Sequence, residues 1–173
     1  GGVNRIGYTS SDTGFDGDSC CFCLSFWAQS SDIAAGVEKA FERREDGSED
    51  PHDLQGAGDQ GIMFGYATRE TPQLMPMAAR TAHRMAERLA DARRGGELAF
   101  LRPDGKTQVT LGYDGHVPKT VESVVLSTQH HPDVDQHELR RAIRETVIDP
   151  VLASTGLDLP DVKYYINPAG PFV

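Results

Sequence analysis

The strongest constraint on the fold of this chain is a pair of strand-like segments joined by a tight turn. Residues 106–113 and 119–128 alternate β-branched or aromatic side chains with polar ones, and Asp114-Gly115 lies between them. Asp-Gly between two such segments is a strong signal for a β-hairpin, because glycine adopts the positive φ that the tight turn needs. The sequence therefore predicts an antiparallel pair of strands.

Helical patterns flank this hairpin on both sides. Over residues 74–94 apolar side chains recur every three or four positions, and two glycines follow as a stop signal. After the hairpin, Asp135 with Glu138 three places on is typical of a capping box. This pattern predicts a second helix over residues 136–148.

Three further segments are predicted to be strands. Residues 61–68 and 162–167 flank the helical patterns, and residues 20–28 are apolar or small on both alternating faces, which favours burial on both sides. From residue 61 the predicted order is β-α-β-β-α-β, the split βαβ order. The predicted fold class is α+β, with helices on one face of a mainly antiparallel sheet.

Residues 29–60 show no sustained periodicity and include an acidic stretch around Glu45-Asp46. A structureless connection longer than about 12–15 residues is usually a lid, a binding loop or a linker. The pattern predicts a long mobile loop here.

Composition excludes several classes of protein. The 173 residues include 17 basic and 26 acidic side chains, a net charge of -9, which argues against binding to nucleic acid. The chain contains no apolar run of the roughly 20 residues that cross a bilayer. Cys20, Cys21 and Cys23 form a poor disulfide framework and predict reduced thiols in a buried strand of a cytoplasmic protein.

Three polar segments are candidates for a site, each with a plainer alternative. Residues 56–61 have neither the spacing of a phosphate-binding P-loop nor that of a Rossmann fingerprint, and taken alone they are best interpreted as a simple turn. Asp104-Gly105-Lys106 is either a surface turn or a place where Lys106 meets phosphate oxygens. Residues 129–133 contain adjacent histidines, for which a solvated loop is favoured over a metal site. These residues alone indicate an α+β domain with one candidate anion site.

Taken in order, six segments together resemble the S-adenosylmethionine synthetase family. They are IGYTSSDTGFD (6–16), AQSSDIAAGV (28–37), GAGDQGIMFGYAT (56–68), LRPDGKTQVT (101–110), VVLSTQH (124–130) and INPAGPFV (166–173). Proteins of this family are more than twice as long. The resemblance implies that residues 1–28 end the amino-terminal domain, that 29–54 form the gating loop, and that 55–173 form the central domain.

The resemblance implies methionine adenosyltransferase activity, which forms S-adenosylmethionine from ATP and L-methionine and releases phosphate and diphosphate. A thioether sulfur is already nucleophilic, so the site must stabilise charge rather than supply a base for the attack. The implied roles are catalysis by Asp59 and Lys106, methionine binding by Gln29 and Asp59, ATP binding by Asp104, Gly105, Lys106 and Phe172, and a gating loop containing Gln29, Ser30, Ser31, Asp32 and Ile33.

The resemblance also implies Mg²⁺ and K⁺ as cofactors, with their ligands mostly outside this chain and no metal site within it. It implies a homodimer or a dimer of dimers in the cytoplasm. The chain departs from the family pattern at Trp27, Ala169 and Pro171, where the family has glycine, threonine and an ATP-contacting arginine. The resemblance also implies that half of the family's charge-handling groups lie outside this chain, so the isolated chain is expected to be inactive. The alternative hypothesis is a diverged, non-catalytic relative that acts as a binding or regulatory subunit.

Overall fold

The computed structural model describes residues 1–53 and 62–173. The chain divides into two compact units, one formed by Gly1–Cys20 with Tyr66–Val173 and the other by Cys21–Gly65. Within the described ranges, no helix combines the length and the apolar character needed to cross a membrane.

The secondary structure mixes short and long helices with two small sheets. The helices are α1 (Gly2–Ile6), α2 (Ser31–Glu38), α3 (Phe41–Glu45), α4 (Met77–Arg94), α5 (Gln136–Ile143) and α6 (Asp149–Ala153), with a π-helical turn at Arg144–Ile148 and a 3₁₀ turn at Ser11–Thr13. The strands are β1 (Thr9–Ser10), β2 (Phe15–Asp16), β3 (Leu101–Asp114), β4 (Val117–His130) and β5 (Lys163–Ile166).

The predicted hairpin is confirmed and is longer than expected. Strands β3 and β4 pair antiparallel from Asp114↔Val117 at the turn to Leu101↔His130 at the far end. Gly115 has φ 58, the left-handed conformation that favours glycine. Strand β5 adds to the other edge of β4 in parallel, which gives the order β3-β4-β5. The α+β class and the last strand are therefore confirmed.

Helix α4 is also confirmed, although it begins at Met77 rather than at residue 74. The preceding chain caps its first turn from outside the helix. The Glu70 carboxylate accepts a hydrogen bond from the Met77 N–H at 2.7 Å. This bond, with smaller contributions from the Tyr113 and Thr68 hydroxyls, holds the pKa of Glu70 below its usual value. The helix ends at the predicted glycine, since Gly95 is its C-cap.

One contiguous core lies between the sheet and the long helices. Alternate residues of β4, such as Val124 and Leu126, face the helices and are fully buried. Helix α4 contributes Met85 and Leu89. The other buried apolar side chains of the core are Ala92, Leu98, Leu101, Val121, Leu139, Ile143, Val147, Ile148, Val151, Leu152 and Ile166.

The second long helix begins as predicted but continues further. The Asp135 carboxylate accepts from the Glu138 N–H at 3.0 Å, which confirms the predicted cap. Helical structure continues to Ala153 although Pro150 lies within it. Because proline has no backbone N–H, Pro150 cannot form the α-helical hydrogen bond to the carbonyl four residues earlier, which is that of Thr146. The Arg88 Nε on α4 donates to that carbonyl at 3.1 Å, so the free acceptor is satisfied from a neighbouring helix.

Two predicted strands are wrong. Residues 20–28 and 62–68 are neither strand nor helix, and Phe22, Trp27 and Phe64 are largely exposed. The three cysteines are exposed rather than buried. An apolar segment becomes a strand only when a neighbour satisfies its backbone N–H and C=O groups, and no strand among the described residues pairs with either segment. Gly61, the first residue of the second predicted strand, lies outside the described residues.

The prediction that residues 29–60 lack structure is wrong for their described part. Helices α2 and α3 both form there, and neither has a buried residue. Helix α2 begins because the Ser30 hydroxyl accepts from the Ile33 N–H at 3.4 Å, which is an ordinary N-cap.

Candidate functional site

Lys106 lies on the face of the sheet opposite the long helices. Its neighbour Thr107 points to the helices, because the Thr107 hydroxyl donates to the Ala82 carbonyl of α4 at 2.8 Å. Successive side chains of a strand point to opposite faces, so Lys106 and Gln108 point away from α4, and both are exposed. Among the described residues no carboxylate lies within ion-pair distance of the Lys106 ammonium. This cation is therefore available to an anion on the open face.

Asp104 and Gly105 lie inside β3, so the surface-turn alternative for this segment is wrong. The pairing shifts between Leu101↔His130 and Gly105↔Thr128, which makes a bulge that contains Asp104. Bulges often lie next to sites because they redirect side chains. Asp104 is exposed in this bulge, two positions before Lys106.

Gly105 lies where a side chain of the long helix approaches β3 closely. A Cβ at this position would lie 2.9 Å from the Leu89 Cδ2 and 3.4 Å from the Ser127 carbonyl oxygen. A side chain here would push the Leu89 side chain of α4 aside. The segment Asp104-Gly105-Lys106 thus combines a packing role for the glycine with exposed charges on each side of it.

The last segment of the chain is attached to the edge of β4 at two points. The Asn167 side chain accepts from the Thr128 N–H at 2.8 Å and donates to the Thr128 carbonyl at 3.1 Å. The His130 N–H donates to the Phe172 carbonyl at 2.8 Å. The Asn167 side chain thus extends the pairing between β5 and β4 by one more residue. Its backbone, with φ 44, turns away from β4 at this point. The turn between the two attachments ends at Phe172, which is half-buried.

His130 is buried in the sheet, so the prediction of a solvated loop over residues 129–133 is wrong at this position. Its side chain is 1% exposed. Its Nδ1 lies 2.7 Å from the His131 carbonyl oxygen. Its Nε2 lies 3.2 Å from the Phe172 backbone nitrogen and 3.2 Å from the Gln136 amide nitrogen.

The structure brings four of the predicted ATP-binding residues to the same end of the sheet. Lys106 is the pairing partner of Ser127, and Phe172 is bonded to His130, three residues further along β4. Three residues of strand span roughly 10 Å. Asp104 and Gly105 lie in β3 beside this stretch of β4. The open face at this end of the sheet is the candidate site.

Gln29 and the predicted gate residues belong to the other compact unit. Gln29 is exposed and precedes α2, and Ser30, Ser31, Asp32 and Ile33 are the N-cap and first turn of that helix. Asp59 lies outside the described residues, so its predicted role stays a prediction.

A metal site is absent from the described ranges 1–53 and 62–173. No three histidine, cysteine, aspartate or glutamate side chains there lie close enough to hold an ion together. The donor set of this part of the chain does not fit Mg²⁺, which prefers several carboxylate and water oxygens.

A large groove of about 820 Å³ lies elsewhere, between α5 and β5. Three arginines line it, but two of them are already paired. Arg141 lies 3.8 Å from Glu145, and Arg144 lies 3.5 Å from Asp149 and stacks on the Tyr164 ring. These pairs leave little free charge, so the groove is a weaker candidate for an anion than the open face around Lys106.

Sequence reasoning missed Asn167 and His130. The signal for Asn167 was available, because asparagine directly after a strand tolerates a left-handed φ and bonds to nearby backbone. His130 had no comparable signal, since the Phe172 backbone that it binds lies 42 residues further along the chain.

Comparisons with known proteins agree on one family. Residues 54–172 match the family model described as the central domain of S-adenosylmethionine synthetase. The S-adenosylmethionine synthase of Leifsonia xyli subsp. xyli is 56% identical over 170 residues, which are 98% of this chain and 43% of that protein.

Two further relatives carry the same name. The S-adenosylmethionine synthase of Mycobacterium sp. (strain KMS) is 51% identical over 175 residues, which cover 99% of this chain and 44% of the relative. That of Mycobacterium ulcerans is 50% identical over 173 residues, which cover 97% of this chain and 43% of the relative. The chain thus spans less than half the length of the curated relatives it matches.

Proposed function

This chain belongs to the S-adenosylmethionine synthetase family, and on that premise we propose that the protein forms S-adenosylmethionine from ATP and L-methionine. The observation that carries the proposal is the 56% identity that extends over 98% of the chain. The exposed Lys106 and the anchored Phe172, at one end of the sheet, support it.

The proposed reaction is a displacement at the ribose 5′ carbon of ATP. The methionine sulfur forms a bond to that carbon, and the bond from the carbon to the triphosphate oxygen breaks. The triphosphate leaves with both bonding electrons and is then hydrolysed to phosphate and diphosphate. Negative charge develops on the leaving oxygen while the sulfur becomes a sulfonium cation. Pre-oriented opposite charges stabilise such a transition state strongly.

Lys106 suits the triphosphate, because its ammonium is exposed and has no carboxylate partner among the described residues. Asp104 and Gly105 are proposed to contact ATP from the adjacent bulge, and Phe172 to stack near the adenine. Asp59 is proposed to face the sulfonium. Gln29 is proposed to contact methionine, with Ser30, Ser31, Asp32 and Ile33 as part of the gate.

The domain division and the assembly are also part of the proposal. The family model begins at residue 54, which supports a central domain over 55–173 after a gating loop over 29–54 and the end of an amino-terminal domain over 1–28. We further propose a homodimer or a dimer of dimers in the cytoplasm, where the three free thiols would stay reduced. Mg²⁺ and K⁺ are proposed from the family alone. When bound, such cations neutralise triphosphate charge, and no step is assigned to them here.

Replacing Lys106 tests this proposal. Lys106→Met is made in the full natural polypeptide that carries this chain, with Lys163→Met as the matched control. Lys163 is also exposed. It pairs with Ser123 of β4, and Lys106 pairs with Ser127 of the same strand. An even number of residues separates these two serines, so Lys163 and Lys106 lie on the same face of the sheet. We expect Lys106→Met to lower kcat/KM for ATP by about 10²–10³-fold, and to change the free energy of unfolding by less than about 0.5 kcal/mol.

The control shows whether Lys106 is catalytic or structural, and the wild type shows whether the protein is an enzyme or a binding subunit. Lys163→Met should leave kcat/KM for ATP unchanged. A fall of less than about tenfold for Lys106→Met, or a large drop in its melting temperature, would show that Lys106 is structural. A wild-type polypeptide of verified mass that forms no S-adenosylmethionine would refute the proposed function and favour a binding or regulatory subunit.

A further inference from the structure

His130 is a fully enclosed polar side chain that the proposed chemistry does not use. Its protonation can be assigned from its partners. The His131 carbonyl only accepts, so Nδ1 must carry the proton that it donates across 2.7 Å. Nε2 acts as an acceptor, because the Phe172 N–H points at it. It faces two donors, the Phe172 N–H and the Gln136 amide, both at 3.2 Å. These partners define the orientation of the ring.

Among the described residues, Phe172 forms both of its backbone hydrogen bonds with His130. Its carbonyl accepts from the His130 N–H at 2.8 Å, and its own N–H donates to the His130 ring. The preceding residue, Pro171, has no N–H to donate. The nearest other attachment is Asn167, through Gly170, whose N–H donates to the Asn167 carbonyl at 3.1 Å. The position of Phe172 is therefore determined mainly by one histidine.

We propose that His130 is a positioning residue that holds Phe172 in place for the base of a purine nucleoside triphosphate. The inference rests on the proposed function, because that function puts a nucleotide on the open face. Stacking on an aromatic ring is sensitive to the ring's position. A backbone fixed at both its N–H and its C=O presents the ring without an ordering cost when the nucleotide binds. Loss of the imidazole acceptor frees one of these two groups.

The test compares three variants in the full natural polypeptide. His130→Leu fills similar space without an acceptor at the Nε2 position, whereas His130→Gln can place its side-chain oxygen there. Val124→Ala is the control for stability, because Val124 is equally buried in β4 and makes none of the contacts with Phe172. The readouts are the equilibrium Kd for ATP, the KM values for ATP and methionine, kcat, and hydrogen exchange at the Phe172 amide.

We expect His130→Leu to raise the Kd and the KM for ATP by about tenfold or more, which is the typical effect of one buried hydrogen bond. KM for methionine and kcat should change by less than about threefold. His130→Gln should restore most of the ATP affinity. Exchange at the Phe172 amide should accelerate in His130→Leu and stay slow in Val124→Ala.

The outcomes separate this inference from the proposed function. An ATP Kd within twofold of wild type in a folded His130→Leu would overturn the inference, even if the enzyme is active. If the wild type forms no product but His130→Leu still weakens ATP binding, the proposed function fails and the inference stands. If His130→Leu does not fold, the nitrogen NMR signals of wild-type His130 decide. A ring protonated at Nε2 would overturn the inference, and a proton on Nδ1 with coupling from Nε2 to the Phe172 amide supports it.

Discussion

Asn167 is a quantitative probe of how the end of the chain is attached to the sheet. Its side chain is 2% exposed and makes both hydrogen bonds of the Thr128 backbone on that edge of β4, at 2.8 and 3.1 Å. Asn167→Gly removes both bonds and keeps the left-handed backbone at φ 44 without strain. Asn167→Ala removes the same bonds and adds a Cβ to that conformation. The two variants therefore separate hydrogen bonding from backbone strain.

The expected magnitudes follow from these contacts. A buried backbone group that loses its partner costs about 1–3 kcal/mol, and Thr128 loses two. We expect Asn167→Gly to lower the free energy of unfolding by about 2–4 kcal/mol, since some water will enter. Asn167→Ala should cost about 1 kcal/mol more than Asn167→Gly. A left-handed backbone strains alanine by about 1–2 kcal/mol. Part of this cost is offset because alanine lowers the conformational entropy of the unfolded chain relative to glycine.

Urea unfolding followed by circular dichroism measures both differences, with thermal unfolding as a second probe. For a chain of this length each kcal/mol shifts Tm by about 2–4 °C. Asn4→Ala is the control, because the other asparagine of the chain has an exposed hydrogen bond to Asp18 and should change stability by less than about 0.5 kcal/mol. A cost below about 0.5 kcal/mol for Asn167→Gly would refute the two-bond attachment. Equal costs for the glycine and alanine variants would refute the strain.

Two further predictions concern α4. Hydrogen bonding by the Met77 N–H lowers the pKa of Glu70 in the folded protein. The ionised carboxylate therefore stabilises the fold at pH values above the pKa of Glu70 in the unfolded chain. This stabilisation is lost as the pH falls through the lower pKa of the folded protein. Glu70→Gln should therefore cost up to about 1 kcal/mol at neutral pH, and the cost should disappear in acid, which urea unfolding at several pH values would measure. Gly105→Val should cost about 1–3 kcal/mol because its side chain would meet Leu89, and a thermal midpoint equal to that of wild type would contradict the close approach.

Several elements could be predicted from the sequence because their signals are local. The Asp114-Gly115 turn, the spacing of apolar residues in α4 and the cap at Asp135 each depend on residues within a few positions of one another. The class of the fold followed from the order of these elements.

The candidate site could be predicted only in part. The resemblance pointed to Asp104, Gly105, Lys106 and Phe172, but the bulge that exposes Asp104 arises from a shift in pairing between two strands. No local pattern indicates such a shift. The attachment of Phe172 to His130 joins positions that are 42 residues apart, so it also depends on how β4 and the end of the chain meet.

The sequence by itself determined the hairpin, the two long helical segments and the family of this protein, because turn residues, apolar periodicity and motifs are properties of short stretches. Only the tertiary structure decided which apolar segments became strands. Residues 20–28 and 162–167 are both predicted from the sequence to be strands, but only the latter segment forms one, because β4 offers it an edge with free backbone groups. The tertiary structure also decided that Arg88 replaces the hydrogen bond lost at Pro150 and that His130 is buried. The physical reason is the same in each case, since a polar group is satisfied by whichever partner the folded chain brings to it.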